Sequence, residues 1–195
     1  MEVNFENYKE MAMRTAKMPE SEHDGLLHAA VGMGSEVGEL AITVARHDWL
    51  QHIDVENTIE EVGDVMWYIA LLCAVLEIDM LHDLSGFDND TAVIEFENRP
   101  PKMLPVKKLS HKHQMLSYYC GELITLIKAH CYYGKELPKE KIRFVAAHAV
   151  RFCSEICEFF GYQIESAMLA NIVKLRKRYP EKFTEKDAIS RADKV

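Results

Sequence analysis

Apolar residues recur every three to four positions along almost the whole chain, the spacing that buries one face of an α-helix. No segment shows the sustained two-residue alternation expected of a half-buried strand. The 195 residues are therefore predicted to form a single all-α domain, a helical bundle large enough to bury a substantial core. The predicted helices cover Asn4–Ala16, Asp24–Arg46, Asp54–Glu77, His111–Tyr132, Lys139–Phe160 and Gln163–Tyr179. Asp24 and Asp54 are the expected N-caps of the second and third of these helices.

The predicted helices fall into two groups, separated by a stretch that contains one glycine and three prolines. We expect a first helical hairpin over residues 24–82, a connecting loop over 83–110, and a second hairpin with a C-terminal helix over 111–180. At an offset of 83 positions, Gly38-Glu39-Leu40 aligns with Gly121-Glu122-Leu123. This alignment indicates either two fused hairpin repeats or a chance match between two helical hairpins, and both interpretations stay open.

Charge and hydropathy exclude some classes of function. Residues 1–97 hold 21 Asp and Glu against 4 Lys and Arg, a net charge of −17, whereas residues 98–195 hold 10 against 19, a net charge of +9. The total of −8 argues against a nucleic-acid partner, and the longest apolar run, Val65–Leu76, is too short to span a membrane. The split predicts either mutual neutralisation or a site with one pole for cations and one for anions. Five cysteines in apolar stretches and a polar start, Met1–Lys9, predict reduced thiols in a cytoplasmic protein.

Four carboxylates form two similar pairs, Glu36 with Glu39 in SEVGEL and Glu61 with Asp64 in EEVGDVMWYIA. Each pair is spaced at i and i+3, so its members share one helix face, and no Lys or Arg follows four positions later to neutralise them. Each pair encloses a glycine, which costs a helix ~1 kcal/mol relative to alanine and predicts a close approach of the two helices. A single pair of this kind is usually a solvated face. Two pairs on adjacent apolar helices favour a cation site instead, and oxygen ligands suit Mg²⁺ or Mn²⁺.

The two acidic pairs, separated by the 21 residues Leu40–Glu60, resemble the signature of the MazG-like all-α nucleoside triphosphate pyrophosphohydrolases. That superfamily includes dimeric dUTPases, dCTP pyrophosphatases and phosphoribosyl-ATP pyrophosphohydrolases. The resemblance implies a Mg²⁺-dependent hydrolase, with Mn²⁺ as a substitute. Its reaction would convert a ribo- or deoxyribonucleoside triphosphate to the monophosphate and pyrophosphate, for sanitation or control of nucleotide pools.

The resemblance also implies roles for individual acidic residues. By position, the metal ligands would be Glu36, Glu39, Glu61 and Asp64. A carboxylate must also orient or deprotonate the attacking water, and Glu39 is the first candidate, with Glu60 in reserve.

A basic patch near the C-terminus supplies the opposite charge. Asn171, Lys174 and Arg178 are spaced at i, i+3 and i+7, so they share one helix face, and they resemble the phosphate-binding segment of the same family. The alternative is a helix end whose basic residues complement the helix dipole. For the base or sugar, we expect a pocket formed by Trp49 and His52, which lie in the predicted break after the first long helix, and by Tyr179.

Two alternatives to this function remain. The chain could be a non-catalytic helical module that senses metal or nucleotide, or a phosphoribosyl-ATP pyrophosphohydrolase. The expected partner is a small-molecule nucleotide, with no nucleic acid and no membrane, in a homodimer or higher homo-oligomer. If the two hairpins are repeats, the second lacks three of the four acids and would act as scaffold.

Overall fold

The computed structural model describes residues 2–52, 54–85, 108–190 and 192–194, and in these ranges every regular element is helical, which confirms the all-α prediction. None of the described helices has both the length and the apolar character that crossing a membrane requires. A 3₁₀ segment, Ala192–Lys194, follows the last α-helix. The α-helices are α1 Tyr8–Met13, α2 Glu22–Leu50, α3 Val55–Val75, α4 Met80–Leu84, α5 Leu109–Tyr133, α6 Lys139–Phe159, α7 Ile164–Arg178 and α8 Glu185–Ser190.

Side-chain caps determine where the two longest N-terminal helices begin. Asp54 accepts a hydrogen bond from the backbone N–H of Asn57 at 3.1 Å, which confirms its predicted role as the N-cap of α3. The predicted cap Asp24 is wrong, because the Ser21 hydroxyl accepts from the backbone N–H of Asp24 at 3.1 Å. Asp24 lies instead in the first turn of α2, where its carboxylate complements the helix dipole.

Four helices build the centre of the molecule. The antiparallel hairpin α2–α3 packs beside the hairpin α5–α6, chiefly through α2 against α5, and α7 packs against α3. The side chains between the helices form one contiguous core, and Met33, Leu40, Met66, Ile69 and Leu123 are fully buried in it. Burial of each such side chain contributes roughly 1.5–3 kcal/mol to stability, so core packing holds the α2–α3 hairpin in place beneath the site.

The first helix of each hairpin, α2 and α5, ends in the same way. Helix α2 ends at Leu50 and α5 at Tyr133, positions that correspond at the offset of 83. Each is followed by a left-handed residue, Gln51 with φ 52° and Gly134 with φ 64°, which caps the helix. These matching ends agree with a duplication, which stays a prediction.

The structure adds two short helices, α4 and α8, to the six predicted ones, and it leaves one prediction open. Helix α4 extends over Met80–Leu84 and begins at Asp79, whose side chain accepts from the backbone N–H of His82. The predicted connecting loop 83–110 lies for the most part outside the described residues. The five cysteines carry free thiols, as expected, and Cys131 is the one that is partly exposed.

Candidate functional site

One cleft brings the acidic and basic residues of the two chain halves together. It has a volume of about 580 Å³ and lies between α2, α3, α7 and the segments that follow α1 and α7. Its walls are acidic on α2 and α3, aromatic beside them, and basic on α7. The lining residues are Thr15, Lys17, His28, Glu36, Glu39, Glu60, Glu61, Asp64, Trp67, Tyr68, Asn171, Lys174, Leu175, Arg178, Tyr179 and Phe183.

Three of the four predicted metal ligands converge in this cleft. Glu36 and Glu39 from α2 and Glu61 from α3 each present a carboxylate oxygen, and these oxygens lie within 4.8 Å of one another. Among the ion pairs of the described residues, none involves any of the three. We call these residues the glutamate triad. Three converging carboxylates without a paired cation form a donor set that fits a hard divalent cation such as Mg²⁺.

The electrostatics of the triad support the same conclusion. Burial, together with the neighbouring charge of Asp64, raises the pKa of Glu36 to about 7 and the pKa of Glu61 to about 7. Mutual repulsion with Glu39 acts in the same direction on both groups. A cation among these oxygens would remove the cause of that repulsion, so the donor set and its charge both fit a metal ion.

Asp64, the fourth predicted ligand, is held by α7 and is not part of the triad. Its Oδ1 accepts from the Asn171 amide Nδ2 at 2.8 Å and from Lys174 Nζ at 2.6 Å, and Lys174 also contacts its Oδ2. Lys174 is largely buried, with 13% of its side chain exposed, and it also donates to Glu60 Oε1 at 3.1 Å. Burial lowers the pKa of Lys174, but Asp64 and Glu60 outweigh it and raise the pKa overall. Glu60, the reserve base, is therefore engaged in an ion pair.

The predicted phosphate-binding residues all have acidic or polar partners in this structure. Arg178 forms a bidentate ion pair with Asp193, in which its Nε donates to Oδ1 at 2.6 Å and its Nη2 donates to Oδ2. The Asp193 side chain is only 2% exposed. Asn171 is 1% exposed and is bonded on both sides, to Asp64 and to Tyr8, so it faces the acidic wall rather than open solvent. Lys174 and Arg178 are the two cations of α7 that border the cleft.

A glycine allows α7 to approach α3 this closely. A Cβ on Gly63 would lie 2.6 Å from the backbone oxygen of Ala167 and 3.0 Å from Asn171 Cβ. The two glycines were predicted to bring α2 and α3 close together. This prediction is wrong, because the helix that approaches Gly63 is α7. Around a Cβ on Gly38 nothing lies within 4 Å, so only the second glycine serves close packing, and it serves α7.

Trp67 and Tyr68 of α3, for which core packing is the default expectation of large aromatic residues, form an aromatic wall of the cleft together with His28 of α2. The rings of Trp67 and Tyr68 lie 4.9 Å apart edge to face, and His28 lies 5.6 Å from Tyr68. A Cβ on Gly32 would lie 2.0 Å from the Tyr68 ring, so this glycine allows the tyrosine to lie across α2. The available signal was spacing, because Tyr68 follows Asp64 by four positions and shares its helix face.

The predicted base-binding residues are separated by the structure. Tyr179 lines the cleft and packs against Phe183 at 5.4 Å between ring centroids. Trp49 and His52 are outside it, because α2 continues to Leu50 and carries Trp49 about 15 Å further along its axis than Glu39. Trp49 is 82% exposed and lines a separate shallow apolar groove.

Comparison with protein-family models, with curated proteins and with solved structures finds no match for this chain.

Proposed function

We propose that the protein is a divalent-cation-dependent nucleotide pyrophosphohydrolase, which cleaves the α–β phosphoanhydride of a ribo- or deoxyribonucleoside triphosphate. The observation that carries this proposal is the glutamate triad, which has no ion-pair partner in the part of the chain that the structure describes and shares a cleft with Lys174 and Arg178. A polyphosphate with a bound cation would present that cation to the acidic wall of α2 and α3 and its negative oxygens to the basic wall of α7. The cleft is also large enough for a nucleotide, since small-molecule sites typically have volumes of ~300–1,000 Å³.

The triad would hold the ion, with Asp64 beside it as the fourth ligand. When bound, Mg²⁺ would neutralise charge on the phosphate oxygens and lower the pKa of a bound water. Glu39 is the most exposed member of the triad, and its carboxylate would orient the attacking water and accept its proton. The water oxygen would form the new bond to the α-phosphorus as the bond from that phosphorus to the α–β bridging oxygen breaks, and pyrophosphate would be the leaving group.

The basic wall would take the leaving group. Lys174 and Arg178 extend from α7 into the cleft, and an arginine fork matches the geometry of phosphate oxygens. The carboxylates that these cations contact in the structure occupy the place that phosphate oxygens would take. Exchange of Asp193 for a phosphate would keep Arg178 paired throughout.

The aromatic wall would take the nucleobase. Tyr68, Trp67 and His28 provide a ring surface next to the triad, and Tyr179 lies on the α7 side of the cleft. Stacking is tolerant of base identity, so we propose a nucleoside triphosphate without assigning the base.

A panel of ribo- and deoxyribonucleoside triphosphates and phosphoribosyl-ATP, incubated with the protein and Mg²⁺, tests this function. We expect release of pyrophosphate and a monophosphate, and no release in EDTA. Release of orthophosphate as the first product would contradict α–β cleavage. Binding of nucleotide without turnover would favour the alternative of a sensing module.

The glutamate proposed as base can be tested by a substitution that keeps its shape. Glu39→Gln removes a charge and a proton acceptor, and we expect turnover to fall by at least ~10²-fold, as is typical for loss of a general base. Glu56→Gln, on the first turn of α3, is the matched control and should leave turnover unchanged. Circular dichroism should show equal helicity in both variants, and an E39Q enzyme with full turnover would rule out this role.

A further inference from the structure

Helix α1 contributes a fully buried tyrosine to the back of the acidic wall. Tyr8 has no exposed surface, yet its hydroxyl lies between polar groups of α3 and α7. The hydroxyl donates to Asn171 Oδ1 at 3.1 Å and lies 3.3 Å from the backbone oxygen of Gly63. A phenylalanine would fill the same volume, so packing alone does not require this oxygen.

The hydroxyl of Tyr8 completes a chain of hydrogen bonds that ends on Asp64. Asn171 is 1% exposed; its Oδ1 accepts from Tyr8, and its Nδ2 donates to Asp64 Oδ1 at 2.8 Å. Without the hydroxyl, the buried Oδ1 would lose this donor, and leaving a buried acceptor unsatisfied is unfavourable. The amide would then turn to find another partner. The reversed amide would place its oxygen against the Asp64 carboxylate, which repels it.

Asp64 lines the same cleft as the glutamate triad, and its two oxygens have different partners. Oδ1 accepts from both Asn171 and Lys174, whereas Oδ2 contacts Lys174 alone. Lys174 is a long flexible cation that also pairs with Glu60, so it can exchange one partner for another. Asn171, by contrast, is fixed within the α3–α7 contact by Gly63 and Tyr8. The amide therefore holds Oδ1 of Asp64, whereas a metal ion would take Oδ2 in place of Lys174.

We infer that Tyr8 is a positioning residue, which acts through the Asn171 amide to orient Asp64 toward a metal ion bound at the glutamate triad. The inference rests on the proposed function, because it assumes that the triad binds a divalent cation. It extends the site to α1, an element that the acidic and basic sequence patterns do not include. Partners that orient a ligand in this way typically change metal affinity ~10–100-fold when they are removed.

The test is Mn²⁺ affinity of the full chain, measured by calorimetry and by the electron paramagnetic resonance signal of free Mn²⁺. Tyr8→Phe removes only the hydroxyl, and we expect its Kd for Mn²⁺ to rise about 10-fold. Tyr119→Phe is the matched control, because Tyr119 is also buried, at 3% exposure, but lies on α5 away from the cleft. Its Kd should equal that of the unmodified protein.

A double-mutant cycle separates positioning from general loss of stability. If Tyr8 acts through Asn171, then adding Y8F to Asn171→Ala should change the Mn²⁺ Kd less than twofold further. Additive effects of Y8F and N171A, or a Y8F Kd equal to that of Y119F, would overturn the inference while leaving the metal site intact. Absence of Mn²⁺ binding by the unmodified protein would instead overturn the proposed function. Thermal melting of each variant verifies that the comparison is made on folded protein.

Discussion

At the scale of single residues, whether each carboxylate of the cleft is ion-paired depends on whether a cation of α7 reaches it. Asp64 and Glu60 are paired with Lys174, whereas the glutamate triad has no such partner. All of these acids come from similar helical sequence, so their side-chain chemistry does not distinguish them. Proximity to α7 does, and it divides one acidic wall into a neutralised part and a part that suits a cation.

Arg178 offers a test of the basic wall at the same scale. Asp193 now occupies its guanidinium fork, so removing that carboxylate leaves the cation open to an anion. We expect Asp193→Asn to bind pyrophosphate several-fold more tightly, with a lower Kd in calorimetry at constant ionic strength. The matched control is Asp187→Asn, which removes a carboxylate of α8 that accepts a hydrogen bond from the hydroxyl of Thr184, just before that helix. Weaker pyrophosphate binding by D193N would show that Asp193 orients Arg178 for its ligand instead of competing with it.

At the scale of helices, the docking of α7 onto α3 assembles the site. Every contact between Asp64 and its two α7 partners depends on the short distance between these helices at Gly63. Sequence spacing identified Asn171, Lys174 and Arg178 as one face of a helix. It did not indicate that Asn171 would be buried against Asp64, because that depends on which helix the face meets.

Two glycine substitutions test this docking, because we expect them to change the free energy of unfolding in opposite directions. A methyl on Gly63 meets backbone of α7 at 2.6 Å, so Gly63→Ala should lower the free energy of unfolding by about 1–3 kcal/mol through overpacking. Gly38→Ala meets nothing within 4 Å and should raise it by up to ~1 kcal/mol, because alanine favours the helix. Urea denaturation followed by circular dichroism measures both. Equal stability of the two variants would contradict the close α3–α7 contact.

At the scale of the whole molecule, the uneven charge of the two chain halves is partly neutralised across the cleft. The acidic half supplies α2 and α3, and the basic half supplies α7, so the pairs that link Lys174 to Glu60 and Asp64 join residues more than 100 positions apart. The glutamate triad remains as the excess. The expected homo-oligomer stays a prediction, which light scattering of the purified protein would test.

The negative charge of the glutamate triad predicts how the stability of the protein depends on pH. The folded-state pKa of Glu36 and Glu61 is about 7, above their ordinary value, so the folded protein binds protons that the unfolded chain releases. Metal-free protein should therefore gain stability as the pH falls from 8 toward 5, and lose it again as the pH rises through 7. Mg²⁺ should replace the protons and raise the Tm most at pH 8.

Thermal melts in EDTA and in Mg²⁺, between pH 5 and pH 8, check this expectation. The double variant E36Q/E61Q is the control, since it lacks both titrating groups and retains all others. Its Tm should depend less on pH in EDTA and respond less to Mg²⁺. If the unmodified protein and the double variant show the same pH dependence, the triad does not carry the destabilising charge.

The sequence by itself determined what local geometry controls. Helical periodicity determined the all-α class, and the i, i+3 spacing placed Glu36 with Glu39 and Glu61 with Asp64 on shared faces, since side-chain direction in a helix follows from position alone. Tertiary structure decided everything that depends on which faces meet. It joined Asp64 to an asparagine 107 positions away, placed Tyr68 over Gly32, and carried Trp49 away from the cleft. These outcomes depend on the packing of whole helices, whose approach is set by distant small residues such as Gly63 and by the shared core, and no local pattern encodes them.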